Sequence, residues 1–308
     1  MNHHSHLKII LYLTIPPILW AGNSVIGRFA SDFIGPFSLS FYRWVIASCL
    51  LLLFAARPLY RHRHIVLENW KALLILGVLS TGIFNTLLYL GLNTTSANNS
   101  GIILATLPVM IILLNYLSGM ERASGVQITG MLISFSGVIW AISRGELIHL
   151  LQFKLNPGDL IILAAISSWA LYSVLLKSLR PIGLPTLPFL LIQFLVGVAF
   201  ILPFYLYEQS QGSTMIWGPQ TWMILAYVGV FPSLFAFFFW QQGVAMGGAN
   251  TAGFFYPLIT VFTASFAWFF LGETLSSAQV TGGVLVIGGV ILALSNSLRS
   301  GRGSPDPH

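Results

Sequence analysis

The sequence predicts an all-α integral membrane protein whose ten transmembrane helices form two inverted five-helix repeats, and three observations carry that expectation. The first is composition: of 308 residues, 56% are hydrophobic and 7% charged, with a mean hydropathy of +0.83. A soluble domain carries about 25% charged residues. So few charges cannot cover a water-facing surface, and lipid must cover most of it instead. The second is ten apolar stretches, each close to the roughly 20 residues a helix needs to cross a bilayer. The third is an internal duplication: a shift of 152 residues lays Trp70 to Ser143 on Trp222 to Ser295 without a gap and with 19 identities in 74 positions.

In chain order the spans run Leu7 to Gly27, Pro36 to Ala56, Trp70 to Leu92, Ser96 to Ser118 and Gly125 to Ser143, then Gly158 to Lys177, Pro185 to Tyr207, Gln220 to Gly243, Ala249 to Leu271 and Ser276 to Leu298. The first follows Met1 to His6 directly, and no small-residue cleavage site ends a short apolar region. It reads as a spanning helix rather than a signal peptide. His3, His4 and His6 read as a solvated tail rather than a metal site. Asn93-Thr94-Thr95 and Met246-Gly247-Gly248 are too short for anything but tight helical hairpins. Pro16-Pro17, Pro108, Pro232 and Pro257 are candidate helix breaks, with Pro108 and Pro257 as hinges in the corresponding fourth and ninth spans. Segment 299–308 is Gly, Ser, Pro and charge, and reads as a disordered cytoplasmic tail.

With a cytoplasmic N-terminus, Lys8, Arg57, Arg61, Arg63, Lys71, Arg122, Lys177, Arg180, Arg299 and Arg302 lie inside, against Arg28, Arg144 and Lys154 outside. The positive-inside rule therefore places both termini in the cytoplasm. The same topology accounts for the net charge of +6, so nucleic acid is not an expected partner. Trp70, Trp140, Trp217 and Trp222 fall near span ends, where amphipathic rings favour the headgroup level.

The duplicated positions that matter most are polar or glycine: Gly77/Gly229, Gly91/Gly243, Asn98/Asn250, Gly101/Gly253, Glu121/Glu273, Gln127/Gln279, Gly130/Gly282 and Gly137/Gly289. Trp20 and Trp169 sit at similar places in the first span of each half. Segments 7–143 and 158–298 are then the two repeats, and five helices in each force them to cross the bilayer in opposite directions. Such a pair creates a pseudo-two-fold axis in the membrane plane and a midplane site that can face either side in turn.

Two Glu-x-x-x-x-x-Gln-x-x-Gly segments, Glu121 to Gly130 and Glu273 to Gly282, together with Leu271-Gly272-Glu273 and Asn98/Asn250, resemble the EamA-type domains of the drug/metabolite transporter superfamily. Met120 stands where that family has glycine, so the first copy departs from its pattern. The resemblance implies a ten-helix exporter in a bacterial inner membrane, similar to exporters of amino acids and related metabolites, an aromatic amino-acid branch among them. It also implies that the first, third, fourth, sixth, eighth and ninth helices line a central cavity.

Ionisable groups inside a bilayer are costly, so their placement is informative. Asp32, Glu68, Glu121, Glu146, Asp159, Glu208 and Glu273 all fall at span ends or in loops, and His62, His64 and His149 in loops. That pattern argues against a proton-coupled drug antiporter and towards neutral or zwitterionic solutes. Arg43 is the exception: it is either a partner for a substrate carboxylate or a structural group that binds carbonyls or snorkels to the interface.

Near mid-depth lie Trp20, Asn23, Ser24, Asn85, Tyr89, Asn98, Asn99, Trp169, Tyr172, Gln193, Trp240, Gln241, Gln242 and Tyr256. Of these, Trp20, Asn23, Asn85, Tyr89, Trp169, Tyr172, Trp240, Gln241 and Tyr256 are the candidate substrate contacts. Trp20 with Asn23, and Trp169 with Tyr172, share helix faces at i, i+3 spacing. Amides and phenols can hold polar groups without formal charge, and aromatic rings can stack on the solute. The competing reading of each is helix-packing glue. The run Phe231 to Trp240 reads as a pathway lining or as lipid-facing bulk.

Small-xxx-small spacings at Gly130/Ser134 and Ala278/Gly282 suit close helix packing or a homodimer contact. Cys49 is the only cysteine, which leaves no disulfide framework or thiolate metal site. Nothing has the spacing of a cofactor, metal or catalytic site, so an intramembrane enzyme is disfavoured. A channel would need rings repeated about the membrane normal, which an inverted repeat does not supply. The expected function is alternating-access export of neutral or aromatic amino acids; a proton-coupled exporter of drugs, nucleosides or sugars is the alternative.

Overall fold

The computed structural model describes residues 3–30, 34–92, 94–95, 97–146, 148, 156–212, 215–272 and 274–300, with side chains for all of these except 3–5, 27–29, 97–99, 271 and 296–300. Asp32, His149, Lys154, Glu273 and the tail from 301 lie outside the described residues, as do the side chains of His3, His4, Arg28, Asn98, Asn99 and Arg299.

Among the described residues the regular structure is helical. Nine helices are long and apolar enough to cross a membrane, and a shorter apolar helix covers Leu258–Phe270. We label the crossings α1 (His3–Ala30), α2 (Pro36–Arg61), α3 (Trp70–Leu92), α4 (Ala97–Leu104 with Leu107–Ser118), α5 (Gly125–Ile142), α6 (Pro157–Leu179), α7 (Thr186–Ser210), α8 (Pro219 to Gly247), α9 (249–255 with Leu258–Leu271) and α10 (Ser277–Ser300). The division between α8 and α9 falls at Gly248, whose φ of 83° and ψ of 165° break an otherwise continuous helical run. A short helix, Arg63–Glu68, links α2 to α3.

Several sequence expectations need adjustment. Helix α1 runs unbroken through Pro16 and Pro17, so that pair is no break. By contrast α4 and α9 are each in two pieces: Pro108 opens the second piece of α4 and Pro257 caps the second piece of α9. The breaks are held by short turns, Thr106 N to Ile103 O at 3.0 Å and Tyr256 N to Gly253 O at 3.1 Å.

A feature with no sequence signature appears in α3 and α8. Both switch to π-helix at positions superposed by the 152-residue shift, Val78–Ile83 and Gly229–Phe235. Hydroxyls serve the loosened ladder: Thr81 Oγ1 donates to Gly77 O at 2.8 Å and to Gln193 O at 2.7 Å, and its counterpart Ser233 Oγ donates to Val228 O at 2.6 Å. Pro232 has no N–H, which removes one ladder bond outright.

The two sequence halves interlock rather than stand side by side. A Cβ at Gly91 of α3 would fall 2.5 Å from Ile162 of α6, and one at Gly243 of α8 would collide with the Leu13 side chain of α1. These are equivalent contacts in the two halves. Likewise Gly77 of α3 meets Val196 of α7, and Gly229 of α8 meets Ile46 of α2. Each half thus lends its first two helices to the other half.

Helices α5 and α10 close the arrangement through bare backbone. A Cβ at Gly130 would lie 2.5 Å from Gly289 O, and one at Gly137 2.6 Å from Gly282 O. Ser134 Oγ donates to Val286 O at 3.0 Å, and these two positions are themselves equivalent, so the pseudo-two-fold passes between them. The small-residue stripe is consumed within the chain and is not free for a homodimer contact.

Candidate functional site

The sequence-predicted residues separate into a central cluster and an outer one. At the centre, Trp20 of α1 meets its counterpart Trp169 of α6 edge to face, with ring centroids 5.5 Å apart and planes at 85°. Trp240 lies 5.4 Å from Trp20 and 5.7 Å from Trp169, and Tyr256 lies 6.2 Å from Trp20. Phe84, Tyr172 and Phe237 complete the group around Trp169 at 4.9, 5.1 and 5.2 Å. These rings come from α1, α3, α6, α8 and α9, so both halves supply them. Trp169, Tyr172 and Trp240 are buried, while Trp20 stays half-buried.

Against the rings sits a buried polar triangle. Gln241 Nε2 donates to Tyr172 Oη at 2.9 Å and to Gln193 Oε1 at 2.8 Å, and Tyr172 Oη donates to Gln193 Oε1 at 3.3 Å. All three residues have 0% exposure. The triangle joins α6, α7 and α8, and α7 was not among the helices expected to line the centre. Gln193 was recognised as a mid-depth amide, but its pairing was not readable from the sequence. The 149 residues separating Trp20 from Trp169 also separate Trp44 from Gln193, which makes Gln193 the second-half counterpart of Trp44. Trp44 is likewise fully buried, 5.0 Å from Phe237.

The polar groups here are not all satisfied. Gln193 Nε2, Gln241 Oε1 and the indole N–H groups of Trp44, Trp169 and Trp240 have no hydrogen-bond partner. A buried polar group left unpaired costs about 1–3 kcal/mol, and native proteins hold few.

The outer cluster is built on Arg43. Its Nε donates to Ser233 Oγ at 2.8 Å, its Nη1 donates to Tyr89 Oη at 3.0 Å, and its guanidinium lies 4.9 Å from the Trp44 ring centre. It is 3% exposed. Arg43 therefore neither snorkels nor binds carbonyls; it ties α2 to α3 and, through the π-helical segment, to α8 of the other half.

The remaining predicted contacts stand apart. Asn85 Nδ2 donates to Ser80 O at 3.2 Å within its own helix. Asn23 is half-buried, and its side chain has no hydrogen bond among the described residues. The Phe231 to Trp240 run divides: Phe231 and Phe235 face outward, while Ser233, Phe237 and Trp240 are buried.

The described carboxylates near the core are engaged at helix N-termini, where aligned N–H groups and the helix dipole favour negative charge. Glu121 accepts from Ala249 N at 3.3 Å and Asn250 N at 3.2 Å, with Lys177 at 3.9 Å. Glu208 accepts from Phe37 N at 3.1 Å, Ser38 N at 2.8 Å and Ser38 Oγ at 2.6 Å. Asp159 forms a capping box with Asn156 and accepts from Thr95. Each caps a helix and is held away from the rings.

A half-open cavity of about 310 Å³ lies at the C-terminal end of α6, lined by residues including Leu176, Lys177, Arg180, Ile182 and Ala245. Arg180 Nη2 donates to Thr186 Oγ1 at 2.7 Å, which donates to Gln242 Oε1 at 3.4 Å, next in sequence to the triangle's Gln241. Burial pulls the Arg180 pKa down from its ordinary value.

The arrangement brings both halves to one buried aromatic and amide centre. The profile of the EamA-like transporter family matches residues 7–143 and 156–295. An uncharacterized transporter of Archaeoglobus fulgidus is 29% identical over 295 residues, 95% of this chain and 98% of the relative. A "probable terminal-alkyne amino-acid exporter" of Streptantibioticus cattleyicolor is 26% identical over 310 residues, 97% and 98% of the two chains. A solved crystal structure superposes with a TM-score of 0.77 at 18% identity, over 97% of this chain and 99% of that one. With both halves matched and the fold shared, the chain belongs to the EamA-like transporter family as a multi-pass membrane transporter of small molecules.

Proposed function

We propose that the protein exports neutral or aromatic amino acids by alternating access, with the Trp20–Trp169–Trp240–Tyr256 ring cluster and the Tyr172–Gln193–Gln241 triangle as its solute site. The observation that carries this is the convergence of both halves on one buried, aromatic, partly unpaired centre. Rings of this size suit an aromatic or branched side chain, and the amides and indoles suit its polar end. The name of the S. cattleyicolor relative, an amino-acid exporter, supports the same class.

Arg43 is the proposed carboxylate partner, and repeats 7–143 and 158–298 supply the two opposed copies. The protein sits in the bacterial inner membrane with both termini cytoplasmic, in line with the ten-to-three excess of basic residues. Pro108 and Pro257, at the breaks in α4 and α9, are the proposed hinges. Because Glu121, Asp159 and Glu208 cap helices, movement proceeds by exchange or downhill flux without a proton. The test is counterflow in proteoliposomes: labelled phenylalanine should accumulate transiently in vesicles preloaded with unlabelled phenylalanine. A panel in which only organic cations, nucleosides or sugars compete would contradict the substrate class.

A further inference from the structure

The leftover polar atoms at the centre are unequal in kind. Four are donors, on Trp44, Trp169, Trp240 and Gln193, and the amide oxygen of Gln241 is the matching acceptor. Exchanging nitrogen and oxygen in both glutamines still leaves one amide nitrogen and one amide oxygen unpaired, and an indole can only donate. The excess of donors is therefore independent of how the amides are assigned. Ser40, Ser48 and Thr86 add unpaired hydroxyls that can act either way.

The same region holds an uncompensated cation. Arg43 is buried, its bonded partners are two hydroxyls, and no carboxylate pairs with it among the described residues. A buried charge ordinarily has a counter-ion. Here its neighbour is the Trp44 ring, whose own N–H is one of the four free donors.

The two halves differ in how the corresponding indole is used. Trp20 Nε1 donates to Pro232 O at 3.1 Å, a carbonyl in the π-helical segment of α8. The equivalent carbonyl in α3 is that of Ser80, and Asn85 Nδ2 already occupies it. Position 85 corresponds to Phe237 in the second half, which makes no such bond. Trp169, the counterpart of Trp20, has its N–H unpaired.

We propose that the site reads the carboxylate of its solute and not an amine, so that small aryl or branched carboxylic acids lacking an amino group are bound and carried alongside amino acids. The proposal rests on the transport reading above for the location of the site. A carboxylate offers two oxygens to the surplus donors, and the uncompensated Arg43 charge favours an anion, whereas an ammonium would find the Gln241 oxygen and the three unpaired hydroxyls beside that same charge.

Calorimetric titration of the purified full chain with 3-phenylpropionate, phenylalanine and phenethylamine tests this. Phenylpropionate is expected to bind at least as tightly as phenylalanine, and phenethylamine about tenfold or more weakly. Trp169→Phe keeps the ring and removes the N–H; it should weaken phenylpropionate about tenfold and leave phenethylamine unmoved. That change in ratio is one which mere loss of packing would not produce. Gln193→Met is the second variant, expected to act in the same direction. Phenethylamine binding as tightly as phenylpropionate, or phenylalanine binding while phenylpropionate does not, overturns the inference. Binding of the acid without counterflow of phenylalanine sustains the inference and removes the amino-acid reading; binding of none of the three removes both.

Discussion

Arg43 and the Tyr172–Gln193–Gln241 triangle show how single side chains commit this membrane interior. Lysine in place of Arg43 keeps the charge but cannot reach Ser233 and Tyr89 together, since an ammonium lacks the guanidinium fork. Arg43→Lys should cost about 1–3 kcal/mol of stability, read as a lower midpoint of thermal unfolding in detergent, and should slow counterflow. Gln241→Leu strips both of its bonds and leaves Tyr172 and Gln193 only their long 3.3 Å bond to each other. A loss of about 1–3 kcal/mol is expected in the same assay, larger than that of Asn23→Leu, whose amide has no partner among the described residues.

The sequence made the ring residues legible because large aromatics in corresponding spans stand out against aliphatic bulk. It could not make the triangle legible. Gln193 lies on α7, and which of many mid-depth amides meet depends on how helices cross.

At the level of elements, the repeated Glu-x-x-x-x-x-Gln-x-x-Gly segment resolves into separate structural jobs. Glu121 caps the start of α9, Gln127 completes a capping box with Ser124 as Gln279 does with Ser276, and Gly130 with Gly282 lets α5 and α10 touch backbone to backbone. The segment that identifies the family therefore builds the frame and does not contact the solute site.

Gly248 is the sharpest test of that frame. Its φ of 83° disfavours any L side chain, and a Cβ there would run into the Glu121 carboxylate. Gly248→Ala should destabilise by at least about 1–2 kcal/mol in a thermal melt; Glu121→Gln, which keeps one acceptor oxygen and sets an NH2 against the other backbone N–H, should destabilise by about 1–3 kcal/mol. Gly137→Val would force α5 from α10 and should prevent recovery of folded protein in detergent. Spans, hairpins and proline breaks could be read from apolar length and turn residues. The π-helical segments could not, because a single widened turn leaves the apolar pattern of a fully buried helix unchanged.

Taken as a whole, the molecule is two opposed copies that exchange their first two helices, and this interlocking was invisible to a repeat read along the chain. A linear comparison shows which segments are alike; it does not show that α1 packs on α8 and α9, or α6 on α3 and α4. The exchange ties any movement of one half to the other and places Trp20 against Trp169 near the pseudo-two-fold.

The capping of Glu121, Asp159 and Glu208 sets an expectation at the same scale. Solute flux should proceed without accompanying proton flux, measured with a pH-sensitive dye inside the vesicles during counterflow. Acidification that tracks the solute and vanishes on replacing one of these three carboxylates would contradict it.

Alternating exposure of the centre is the claim on which the rest depends, and the chain offers a direct way to measure it. Cys49 is the only cysteine and faces outward, so replacing it by alanine yields a clean background. In that background Tyr256→Cys places a thiol on the ring cluster, at the interruption of α9. A membrane-impermeant maleimide should label it from either side of oriented vesicles, and phenylalanine on the opposite side should change the rate. Labelling from one side alone under every solute condition would contradict the account.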